Sequence, residues 1–246
     1  MNQRRKFKSI SRICEEIDWI ISNKDYKQDH KRLPLDLWDA VLHRELLYFE
    51  IDLFCITILK IANAKNRKLP YLERELWDFI NNLPVYISRK QNLKISEEEE
   101  LDFCIDYPNE GKKMLSRLIG LSKEILEFPD DHSKRNETRK SGSLRLLAEL
   151  TRHYCIPGVK ELFLNSVGSK NPQEQYCALE GLMNYYDGKG DEVDNGVIQA
   201  LDKIIKETED RSVVFICLQI QINAGIISEM SAVFAMDDWK DEHYYK

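Results

Sequence analysis

Apolar residues recur at helical rather than strand spacing along this chain, and the pattern changes character near residue 136. In the opening MNQRRKFKSISRICEEIDWIIS, Phe7, Ile10, Cys14, Ile17 and Ile21 recur at helical spacing, which predicts an amphipathic helix over 5–22 and not a signal peptide. Pro34 suits a first helical turn, where its missing N–H is no loss. From Leu35 to Ala64 no Gly or Pro interrupts a strongly apolar run through Leu37, Trp38, Val41, Leu46, Phe54 and Ile58. This predicts a central helix, or two in line, buried on more than one side. Pro70 starts a helix expected to end before Pro84. Ser96-Glu97-Glu98-Glu99 reads as a capping box, with acids where the helix dipole favours them. Pro108 opens a further helix that ends near Phe128.

The polar stretch 129–143 begins as a linker or long loop, and a repeat follows it. Asn136, Asn171 and Asp210, read as helix caps, are 35 and 39 residues apart. Each helix then carries a small residue followed by Leu: Ser143-Leu144, Ala178-Leu179 and Cys217-Leu218. Intervening second helices match at an offset of 38, pairing Gly158-Val159 with Gly196-Val197 and Leu162-Phe163 with Ala200-Leu201. The predicted pairs are 136–153 with 157–168, 172–186 with 195–208, and 211–224 with 228–240. A helical pair at this period cannot bury its apolar face alone, so neighbours are expected to stack.

These paired helices, with Asn171-Pro172 before one of them, resemble HEAT or armadillo-type repeats over about 110 of the 246 residues. The spacings fall below the usual HEAT period of about 40–47 residues. The Asp-Pro-x-Val-Arg string common in that family is replaced by Asn171-Pro172-Gln173-Glu174-Gln175. The resemblance implies an all-α fold, an α-α superhelix in which repeats over 136–246 stack on an irregular helical N-terminal region over 1–130, either as a separate domain or as one continuous domain with it. It also implies a curved protein-binding surface. Some HEAT-like solenoids of this length are DNA glycosylases, which need a basic groove and a catalytic carboxylate. Trp38-Asp39 and Trp77-Asp78 are the residues that would serve there.

Composition narrows the function classes. Apolar residues at 43% and charged residues at 32% fit an ordinary globular chain, and ten Gly and seven Pro argue against a turn-rich β fold. No apolar run approaches a membrane span. Cys14, Cys55, Cys104, Cys155, Cys177 and Cys217 are widely spaced without a CxxC, so they read as reduced core residues of a cytoplasmic protein. The net charge is −6, and the segment from Asp187 onward holds thirteen acids against six bases. Such a surface repels phosphate backbones and suits a basic protein partner.

Catalytic signatures are missing: there is no GxSxG, P-loop or dinucleotide fingerprint. His30, His43, His132, His153 and His243 lack metal-ligand spacing, so no metal and no cofactor is expected. His43, Arg44, Glu45, Glu50 and Asp52 place charges on the apolar central segment, where they line an exposed edge or pair with neighbours.

The reading that follows is a non-enzymatic protein-binding protein, an acidic immunity or antitoxin-type inhibitor that covers the active surface of a basic, nuclease-like toxin. Its alternatives are an adaptor or assembly scaffold and, further off, the glycosylase. Candidate partner-binding residues form two groups, each mixing aromatic rings with acids. One is Tyr185, Tyr186, Asp187, Asp191, Glu192 and Asp194. The other is the tail, with Asp237, Asp238, Trp239, Asp241, Glu242, Tyr244 and Tyr245.

Overall fold

Polar caps start several of the helices. In the computed structural model, which describes residues 7–23, 32–64, 70–93, 99–129, 133–187 and 195–244, Ser9 caps α1 (Ile10–Ser22) by accepting from the Arg12 amide. Helix α2 spans Arg32–His43, α3 Tyr48–Asn63 and α4 Pro70–Lys90. Asn109 caps α5 (Glu110–Leu126), and α6 runs Lys134–Thr151. Then come α7 (Val159–Ser166), α8 (Pro172–Tyr186), α9 (Asn195–Glu207), α10 (Arg211–Asn223) and α11 (Glu229–Tyr244). The protein is all-α: these 11 helices hold 77% of the described residues, with no strand among them.

Several boundaries differ from the sequence expectation, each for a physical reason. Helix α1 begins at Ile10 rather than residue 5, and Phe7 instead stacks on His43 with centroids 4.3 Å apart. The 35–64 segment breaks at 44–47, although no Gly or Pro marks it. Lys90 stabilises that break by donating to the carbonyls of Leu42 and Arg44 at 3.3 and 2.6 Å. Helix α4 continues through Pro84 to Lys90, because Leu76, Ile80, Leu83 and Ile87 form one fully buried stripe across it. Losing that stripe would cost more than the roughly 3 kcal/mol of an internal proline.

Residues 99–109 are not helical, contrary to the capping-box reading; Ser96, Glu97 and Glu98 lie outside the described residues. Their backbone pairs elsewhere. Leu101 donates to the Cys155 carbonyl and Cys155 to that of Glu99, at 2.8 and 3.0 Å. Asn136 is not a cap either, since Ser133 accepts from its amide and Asn136 lies buried inside α6. Asn171 and Asp210 do cap α8 and α10.

The contacts divide the chain within α6, into 1–146 with 154–156 and 147–153 with 157–246. In the first unit α3 packs on α1 and α5, and α4 on α2 and α5. Arg135 and Arg139 cap the end of α3, donating to the carbonyls of Ile61, Ala62 and Ala64 at 2.6–2.8 Å. Buried Glu73 accepts from Arg135 Nε at 2.5 Å and so offsets part of the pair's charge.

In the second unit α8 packs on α7 and α10, and α10 packs on α9 and α11. The expected pairing of 172–186 with 195–208 is not among these packed pairs; α9 finds its neighbour in α10. The repeated small–Leu positions are all buried, as their role in the core requires.

Candidate functional site

Helix α10 carries apolar side chains around most of its circumference, so both of its flanks must be covered or left open. Gly225, at φ 68°, ends it in the left-handed conformation that glycine tolerates. The Gly225 amide donates to the Ile222 carbonyl and that of Ile226 to the Gln221 carbonyl, both at 2.8 Å. The turned chain brings α11 back against α10. On one flank Val214, Leu218, Ala232 and Trp239 form a buried cluster, joined by Ile205, Ile222 and Met236.

The surface beside this cluster stays open, and Ile222 and Met236 belong to both. A groove of about 860 Å³ runs between α8, α10 and α11. Met183, Phe215, Ile216, Ile222, Val233 and Met236 supply its apolar lining, and Glu180, Arg211, Glu229, Asp237 and Lys240 its charges. Lys240 is held by Asp237 at 2.8 Å. Phe215 is 58% exposed and Val233 55%, and the same helix α11 exposes Met230 and Phe234 by 64% and 62%. Exposed large apolar side chains at an open groove are the surface composition of a docking site.

The predicted binding residues distribute unevenly about this groove. Asp237 lines it, and Asp238 and Asp241 stand exposed further along α11. Asp187 is exposed at the end of α8 and Tyr185 half-buried. Two aromatic candidates are core residues instead of surface anchors. Tyr186 is buried, with Lys160 over its ring at 5.7 Å. Trp239 is 3% exposed and donates its indole N–H to the Thr208 carbonyl at 3.3 Å, fastening α11 to the end of α9. Asp191, Glu192, Asp194 and Tyr245 lie outside the described residues; Glu242 and Tyr244 belong to α11, but their side chains are not described.

Sequence reasoning missed the groove itself. One signal was present: Met230, Val233, Phe234 and Met236 are too many large apolar residues for the single stripe that α11 buries.

Several of the other residues singled out in the sequence take part in packing or ion pairs. Glu50 accepts from the Ser11 amide and hydroxyl, and Asp52 pairs with Arg117 at 2.7 Å. Trp38 packs edge-on against Phe79 at 4.9 Å, and buried Trp77 meets Gly142 so closely that a Cβ there would sit 2.7 Å from its ring. Burial pushes the thiols of Cys55 and Cys217 up to about 12 and that of Cys14 to about 11, so they act as small apolar groups. Among the described residues no three His, Cys, Asp or Glu side chains converge, and no helix is long and apolar enough to cross a membrane.

Comparison of the chain with protein-family models, curated proteins and solved structures finds no match.

Proposed function

We propose that this chain is a non-enzymatic, protein-binding helical-repeat protein of the cytoplasm, and specifically an acidic immunity or antitoxin-type inhibitor of a basic, nuclease-like toxin. The observation that carries the proposal is the joining, on α11, of an open apolar groove wall to the exposed acids Asp237, Asp238 and Asp241. Apolar contact supplies affinity at the centre of such an interface, whereas surrounding charge speeds encounter and rejects partners of like sign. An excess of negative charge presented this way suits a protein whose own function is to hold a polyanion.

Stacking of α6 to α11 as a HEAT-like superhelix belongs to the same proposal. It is supported by equivalent buried positions at offsets of 35 and 39 residues and by a repeated asparagine hydrogen bond linking α6, α8 and α10.

The test pairs the full chain with a basic nuclease encoded beside it. Stoichiometric inhibition is expected, with an association rate that falls as salt rises. Failure to bind any co-encoded basic protein overturns the inhibitor reading. The mixed-sign groove, with Arg211 and Lys240 among acids, favours the second reading of an adaptor or assembly scaffold. Binding that leaves the partner's activity intact would select it.

A further inference from the structure

We draw no further inference here: the strongest candidate, the open apolar groove between α8, α10 and α11, sets Glu180, Glu229 and Asp237 against Arg211 and Lys240 along its lining, and nothing in the structure shows what covers it.

Discussion

The side-chain amide of buried Asn184 donates to the main-chain carbonyl of Ala148 at 2.9 Å. Asn223 makes the equivalent bond to Met183 at 3.5 Å. The donors are 39 residues apart and the acceptors 35, the same offsets that separate the small–Leu positions. In both cases an asparagine near the end of one helix reaches a main-chain carbonyl of an earlier helix. Within a low-dielectric core such a bond fixes register, because a slip of either helix leaves the amide without its acceptor.

That relationship gives an ordered pair of outcomes. Asn184→Ala should lower stability by about 1 kcal/mol or more, through the lost bond and the space it leaves. Asn184→Asp should be worse at neutral pH, since a carboxylate faces the Ala148 carbonyl without a donor, and should recover as pH falls and the carboxyl regains a proton. Asn223→Ala should cost less than Asn184→Ala, because its bond is longer and less buried. Chemical denaturation of the three variants checks the order, and equal losses would remove the register argument.

The contact of α7 with α8 depends on Gly181. A Cβ built there would lie 2.3 Å from the Phe163 ring, whose body is fully buried and has nowhere to move. Gly181→Ala should therefore destabilise by about 1–3 kcal/mol despite alanine's better helix propensity. Combining it with Phe163→Leu should cost less than the sum of the two single changes, because the smaller side chain clears the methyl group. Strict additivity in this double-mutant cycle would show that the two residues do not oppose each other.

What the sequence disclosed was mostly local. Caps at Asn171 and Asp210 bond amides two or three residues away, so they can be read from neighbouring letters. Asn136 misled because Ser133, three residues earlier, takes the cap and leaves Asn136 inside the helix. The break at 44–47 was invisible for a different reason. Its carbonyls are satisfied by Lys90, more than 40 residues downstream, and no nearby residue signals that. Pro84 stays within α4 because the buried stripe it interrupts is stabilised by distant partners. The groove, too, is a product of three helices, two of which are not adjacent in sequence. Aromatic residues near acids, by contrast, drew attention to Tyr186 and Trp239, whose rings are core.

The thiols give a pH-dependent prediction. Cys55 and Cys217, pushed up by burial to about 12, stay protonated in the folded protein through the range in which an unfolded thiol, with its ordinary value near 9.0, ionises. Their contribution to stability is full below about pH 9 and is lost progressively as pH rises toward 12. Alkylation at pH 8 should label exposed Cys104 first and half-buried Cys155 more slowly, with Cys14, Cys55, Cys177 and Cys217 reacting only on unfolding. Rapid native labelling of Cys55 or Cys217 would contradict this.

The buried and exposed faces of α11 should separate cleanly under mutation. Trp239 lies under the helix, packed in the cluster with Val214, Leu218 and Ala232, and its N–H reaches the Thr208 carbonyl. Trp239→Ala should cost about 3–5 kcal/mol of stability, the range for removing a large buried aromatic, and should weaken partner binding only as a consequence of unfolding. Asp238 and Asp241 are exposed and support no core contact, so replacing both with Ser should leave the thermal midpoint within about 2 °C while slowing association with a basic partner. Asp237 differs from both, since it holds Lys240 at the groove; Asp237→Ser frees that lysine and should reduce affinity more than either neighbour does. Stability and association rate, measured on the same four proteins, place each residue: a Trp239→Ala variant that keeps its midpoint but dissociates faster would return that ring to the interface, and unchanged association in the acid variants would move the partner surface off α11.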